Sequence, residues 1–152
     1  MSKPLQVPFA ATLHVRDTCL CLHAQRAARA LARRFDQALA RFEITSGQFS
    51  LLMSLNRPQA PGMAPVAELL AMDRTTLTAA LKPLQRRGLV EVEVDADDRR
   101  GRRLKLTLAG GALLAKAVPI WKREHADLDR RMQNLDSLRR DLKALNVASP
   151  LP

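Results

Sequence analysis

Tyrosine is absent from these 152 residues, and one tryptophan with four phenylalanines leaves aromatic side chains at 3% of the chain. A core must therefore be built from Leu, Ala and Val, a composition that favours helices. Cysteine is scarce as well. Cys19 and Cys21 lie two apart in an expected helix, pointing about 200° away from one another around its axis. They are poorly placed to bridge, which suits a reduced, cytoplasmic setting. No Cys/His zinc pattern is present, so neither metal nor cofactor is expected. No apolar run reaches the roughly 18 residues of a transmembrane helix, and no membrane partner is expected. The leading MSKPLQVPFAATLH has no apolar core of a secretion signal, and its two prolines suggest a loose arm. Phosphate-binding glycine loops and nucleophile elbows are missing too, which argues against an enzyme.

Acidic residues are outnumbered. Twenty-five Lys and Arg against 15 Asp and Glu leave a formal charge of +10 and a pI near 11.0. Such an excess points to a polyanionic partner, because a phosphate backbone rewards each cation brought to it.

The organising stretch is Met72–Gly110, MDRTTLTAALKPLQRRGLVEVEVDADDRRGRRLKLTLAG. Asp73 is a good N-cap, Leu77, Leu81 and Leu84 recur at helical spacing, and Gly88 suits a left-handed helix end beside Arg86 and Arg87. Pro83 interrupts this helix at a cost of about 3 kcal/mol in isolation, and a kink is expected there. Leu89, Val90, Val92 and Val94 form a short β run. Asp97, Asp98 and Gly101 mark a turn. Leu104, Leu106 and Leu108 alternate with Arg103, Lys105 and Thr107 in a returning strand. A helix followed by a basic β-hairpin is how a winged helix-turn-helix grips duplex DNA.

The flanks are helical. A first long helix is expected from Val15 to Phe42, with Leu20, Ala24, Ala27, Leu31, Phe35, Ala38 and Phe42 recurring every three or four positions. Thr45 or Ser46 can cap a helix over Gly47–Leu55, Arg57–Gly62 reads as a loop, and Pro65 opens a short helix over Val66–Leu70. Beyond the hairpin, Ala109 to about Gln133 carries Leu113, Ala117, Ile120, Trp121, Leu128 and Met132 as its apolar stripe, with a bend at Pro119. Asp136 can cap a last helix bearing Leu138, Leu142 and Leu145. The fold class is thus mostly α with a small β-hairpin wing: a winged helix-turn-helix over residues 46–108, an arm and dimerisation helix over 1–45, and C-terminal dimerisation helices over 109–152. Such end helices suit a two-fold homodimer reading a two-fold symmetric operator in double-stranded DNA.

Three segments, GQFSLLMSL (Gly47–Leu55), MDRTTLTAALKPLQRRGLVEV (Met72–Val92) and DDRRGRRLKLTLAG (Asp97–Gly110), resemble the MarR family of winged-helix transcription regulators. Asp98 and Arg100, set ahead of Leu106–Thr107, match that family's wing, whereas Pro83 departs from much of the family. The resemblance implies an obligate, triangular homodimer, most often a repressor, that releases DNA when a small-molecule effector or an oxidant binds. It also makes Arg100 the minor-groove arginine and Asp98 the carboxylate that orients the wing through an ion pair.

On the expected reading helix, Arg74, Thr75, Thr76, Thr78 and Lys82 can address bases or phosphates in a major groove. Arg99, Arg100, Arg102 and Arg103 can reach a narrow minor groove from the hairpin. Candidates for effector binding or sensing are His14, Arg16, Cys19, Cys21, His23 and Arg26 near the start, with Trp121 and His125 further on. Cys19 and His23 share a face at i, i+4 on the expected helix. A thiol near cations reacts faster with oxidants, so Cys19 or Cys21 makes a redox-sensing repressor the alternative. A winged-helix protein-interaction module is the alternative of another class.

Overall fold

A computed structural model describes residues 6–147. The first five residues, and with them Pro4 of the expected arm, lie outside the described part. The chain divides into two compact units, one up to Arg34 and one from Phe35 onward.

The first unit holds α1 (Phe9–Thr18) and most of α2 (Leu20–Leu39). The single long helix expected over Val15–Phe42 is corrected on three points: it starts earlier, at Phe9; it breaks at Cys19; and its α-helical part stops at Leu39. Cys19 is extended (φ −68°, ψ 108°) and closes α1 through its N–H to Val15 O. Thr18 Oγ1 donates to His14 O at 2.7 Å, a back-bond of the kind that bends helices. Cys19 then heads α2, its carbonyl accepting from His23 N at 3.1 Å and its sulfur from Leu22 N at 3.5 Å. A one-residue break leaves apolar periodicity almost unchanged, so the pattern could not reveal it. None of the residues of α1 is buried, and of α2 only Phe35 and Leu39 are.

In the second unit α2 tightens into a 3-10 turn, Ala40–Phe42, which ends on Glu43 in the left-handed region (φ 55°, ψ 38°). Thr45 then caps α3 (Ser46–Leu55): its side chain accepts from Gln48 N, while Gln48 Oε1 accepts from Thr45 N. This reciprocal pair satisfies two otherwise orphaned donors. α4 (Met63–Leu69) begins three residues before the expected Val66, placing Pro65 inside its first turn, where no N–H is missed. α5 (Arg74–Arg86) is capped by Asp73 and runs through Pro83. Gly88, at φ 68°, lets Leu89 N return to Leu84 O at 3.0 Å and Gly88 N to Gln85 O at 2.9 Å, which ends the helix cleanly.

β1 (Val90–Val94) and β2 (Arg102–Leu106) pair antiparallel, with Val90 opposite Leu106 and Val92 opposite Leu104. Leu108 does not continue the strand as expected. It opens α6 (Leu108–Arg131) and is 95% exposed, because Thr107 caps that helix through Gly110 N and stops the pairing. The buried edge of α6 is Gly110, Leu114 and Ala117; Leu114 was missing from the expected stripe, and Met132 falls past the helix end. The cap of α7 (Leu135–Val147) is Asn134, whose Oδ1 accepts from Ser137 N at 2.8 Å. Asp136, expected there, sits in the first turn instead.

One cluster joins these elements. Leu39, Ile44, Leu52, Val66, Leu77, Leu81, Leu84, Val90, Leu104 and Ala117 are all under 5% exposed and belong to it. Burying a Leu or Val contributes about 1.5–3 kcal/mol each, so this cluster holds α3, α4, α5 and the hairpin as one body.

Candidate nucleic-acid interface

α5 is presented by the turn before it. Met72 N returns to Ala67 O at 2.9 Å and Ala71 adopts a positive φ of 51°, which swings the chain from α4 into α5. Asp73 Oδ1 accepts from Thr76 N at 2.7 Å. That N–H, and then the Thr76 hydroxyl, hold the Asp73 carboxyl below the usual carboxylate range. Thr76 is thereby part of the helix cap. Thr78 Oγ1 donates to Arg74 O at 2.8 Å, so in this rotamer the hydroxyl offers an outside partner lone pairs and not its proton.

Leu77, Leu81 and Leu84 anchor the inner side of α5. Arg74, Thr78 and Lys82 line a groove of about 370 Å³, together with Leu81, Gln85, Met63, Val92, Arg100 and Arg102. α5 and the wing therefore meet in one concavity. An adjoining depression of about 340 Å³ is lined by Arg74, Thr75, Thr78, Ala79 and Lys82. Thr76, Arg99 and Arg103 line neither. Gln85 was missed in the sequence, although positions 74, 78, 82 and 85 follow one face of a helix and that spacing could have found it.

The wing arginines, equivalent by composition, differ in place. Arg103 Nε pairs with Asp95 Oδ2 at 2.7 Å and its Nη1 reaches Ala60 O at 3.4 Å. Beside it Leu104 N donates to Pro61 O at 2.8 Å, and Gly62 bridges to Arg103. Arg103 thus fastens the hairpin to the loop before α4. Arg102 folds back on the tip, its Nη1 donating to Gly101 O at 2.9 Å. Arg99 and Arg100 are exposed at the tip.

Among the described residues Asp98 does not form the expected ion pair. Its Oδ1 accepts from Arg100 N at 2.9 Å, and its carbonyl accepts from Gly101 N at 2.8 Å, so it shapes the turn through the backbone. The carboxylate that pairs with a wing arginine is that of Asp95. The N–H of Asp97 above all, with Arg103 adding its charge, keeps the Asp95 carboxyl below the usual range.

The sensor candidates fall into both units. In the first, Arg16 makes a two-pronged pair with Asp17 (2.6 and 2.9 Å), and His23 Nε2 lies 3.1 Å from Asp17 O. That pairing lowers the Asp17 carboxyl and raises the Arg16 guanidinium. Cys19 is half-buried at the helix break. Cys21 is exposed, its sulfur accepting from Gln25 Nε2 at 3.1 Å. The shared helical face expected for Cys19 and His23, and the 200° separation of the thiols, both assumed a continuous helix that ends here at Thr18. His14 and Arg26 are exposed. In the second unit Trp121 packs on His125 with centroids 4.2 Å apart and stacks on Phe49 at 6.2 Å, while His125 meets Phe35 at 5.0 Å. Among the described residues no group of three or more His, Cys, Asp or Glu could hold a metal ion.

Residues 44–101, the span from just ahead of α3 to the wing tip, match the family model described as MarR family. The HTH-type transcriptional regulator TtmR of Methylorubrum extorquens (strain PA1) is 31% identical over 143 residues, 90% of this chain and 73% of that protein. The chain belongs to the MarR family. Its fold superposes with a TM-score of 0.80 on the M. tuberculosis transcriptional regulator MosR in complex with DNA, at 37% identity over 86% of this chain and 96% of that one. The organic hydroperoxide resistance transcriptional regulator of Bacillus subtilis (strain 168) is 29% identical over 101 residues, 66% of this chain and 69% of that protein. The relatives and the winged fold are those of transcription regulators, not of enzymes. This MarR-family chain is a DNA-binding transcription regulator of winged-helix fold, with the β1–β2 hairpin as its wing. No described helix is long and apolar enough to cross a membrane.

Proposed function

We propose that this regulator acts in the cytoplasm as a homodimer that recognises a two-fold symmetric operator, and that it represses until a small-molecule effector releases it. The carrying observation is the groove in which Arg74, Thr78 and Lys82 of α5 stand with Arg100 and Arg102 of the wing. Four cations and a hydroxyl there match a phosphate-lined surface, with α5 lying in the major groove and Arg100 entering the minor groove beside it. Dimerisation is supported by apolar side chains that one copy leaves open: Phe9, Val15, Leu20 and Leu31 near the start are 43–72% exposed, and Leu138, Leu142 and Leu145 on α7 are 39–51% exposed. Rows of this kind mark association surfaces.

The test is selection of bound duplexes from a random pool, with light scattering on the free protein. A two-fold symmetric selected motif and a dimeric mass are the expected results. A monomer that binds every duplex equally at low salt would refute the reading and would favour a protein-interaction module. Release tests with candidate small molecules then address the effector.

A second reading, a redox-sensing repressor, is favoured by the exposed Cys21 beside the half-buried Cys19 and by the hydroperoxide-resistance regulator among the relatives. Operator affinity that does not change on peroxide treatment, in wild type as in Cys19→Ser and Cys21→Ser, would remove it.

A further inference from the structure

Arg87 stands at the far end of the reading helix from Arg74, yet its guanidinium reaches across the fold. Nη1 donates to Glu43 O at 2.6 Å and Nη2 to Phe42 O at 3.2 Å, 44 and 45 residues earlier in the chain. Those carbonyls belong to the 3-10 turn that closes α2, where backbone oxygens lack partners within the helix and the peptide dipoles leave negative charge. A planar cation with paired donors suits two adjacent oxygens better than an ammonium does. Glu43 also holds a left-handed conformation, uncommon for a non-glycine residue, which persists when the surroundings over-determine it.

Both ends of this link are rigid. Arg87 is the C-cap of α5, where Gly88 N and Leu89 N return to Gln85 O and Leu84 O. Leu84 is fully buried at that end, and Ile44, next to Glu43, is 4% exposed. Arg74, Thr78 and Lys82 project from the same helix, so a tilt at its C-terminus displaces them in the groove.

We propose that Arg87 is a positioning residue for DNA recognition: a two-pronged tie that sets the pose of α5 against the end of α2 and passes a movement of one to the other. The proposal rests on the reading of α5 as the DNA-recognition helix. In this role Arg87 contacts neither base nor phosphate.

The test uses the full chain, with Arg87→Gln and Arg87→Lys compared on the selected operator and on a random duplex over a range of salt. For Arg87→Gln, operator affinity is expected to fall about fivefold while random-duplex affinity and the salt slope stay at wild-type values. Hydrogen exchange should quicken at the Glu43, Gly88 and Leu89 amides, and Arg87→Lys should lie between the two proteins. An equal loss on both duplexes, with the salt slope reduced by about one, would make Arg87 a phosphate contact and overturn the proposal. So would a lower melting temperature with the operator-to-random ratio intact, the mark of a merely structural role. If the glutamine variant does not fold, the lysine variant carries the same comparison. A wild type without sequence preference would sink the DNA reading itself, whereas wild-type exchange rates at those amides in an operator-selective variant would sink the tie alone.

Discussion

Gly110 and Gly111 are neighbours in the first turns of α6, and replacing each by alanine should move stability in opposite directions. A Cβ at Gly110 would overlap the backbone oxygen of Leu89 and come within 2.7 Å of Leu106 Cδ1. The Leu89 carbonyl has little room to give way. It accepts from Thr107 N at 3.1 Å, and the Leu89 N–H is bonded to Leu84 O at 3.0 Å in the closure of α5. Relief therefore requires α6 to lift from the base of the wing. Overpacking in tight sites costs roughly 1–3 kcal/mol, at the upper end when the obstacle is backbone. Alanine's better helix propensity returns at most about 1 kcal/mol. The net expectation for Gly110→Ala is a loss of about 2 kcal/mol. At Gly111 nothing lies within 4 Å of the added carbon, so only the propensity gain remains, up to about 1 kcal/mol. In a chain of this size 1 kcal/mol moves the melting temperature by roughly 2–4 °C. Thermal unfolding followed by circular dichroism, at one fixed protein concentration because association shifts the midpoint, should show Gly110→Ala lower by about 4–8 °C and Gly111→Ala slightly higher. If Gly110→Ala melts at or above Gly111→Ala, the packing described between α6 and the start of β1 is wrong.

Other outcomes are equally specific. Arg100→Ala should weaken operator binding several-fold and lower the salt slope by about one, whereas Arg103→Ala, which loses the 2.7 Å pair with Asp95, should loosen the wing before it changes the slope; equal slopes for the two variants in a salt titration would count against the division made here. Leu81→Ala removes a side chain of the inner face of α5 that is 2% exposed and should cost about 2–5 kcal/mol in urea unfolding, a smaller loss meaning that the site collapses or was never packed. The Asp73 carboxyl is held low by Thr76, so its folded-state pKa lies below the unfolded value of about 3.9. Its contribution is thus complete above that value and fades as the pH falls through the depressed one. Asp73→Asn keeps an acceptor at the cap without the titration; a stability difference between wild type and this variant that is flat from about pH 6 to pH 3 would contradict the assignment.

Local chemistry alone determined much of this protein. Thr45 and Asp73 cap helices because their side-chain oxygens sit three residues ahead of an unpaired N–H, and Gly88 ends α5 because a left-handed residue is cheap only there; neither needs a tertiary neighbour to be legible. The spacing of Leu77, Leu81 and Leu84 and the alternation along the hairpin likewise announced the helix α5 and the wing. What only the folded chain decided was the division of labour among like residues. Four arginines in the wing look interchangeable in a string of letters, but the loop before α4 and Asp95 claim Arg103, the tip carbonyls claim Arg102, and Arg99 and Arg100 remain exposed at the tip. Arg87 read as a helix-end cation until the fold carried the carbonyls of Phe42 and Glu43 to it from more than forty residues away. The break at Cys19 was hidden for a related reason, since one extended residue barely disturbs a helical period. Caps and periods depend on the nearest few residues and are written in order along the chain, whereas an arginine's partner depends on which distant backbone atoms the packed core brings within hydrogen-bond reach.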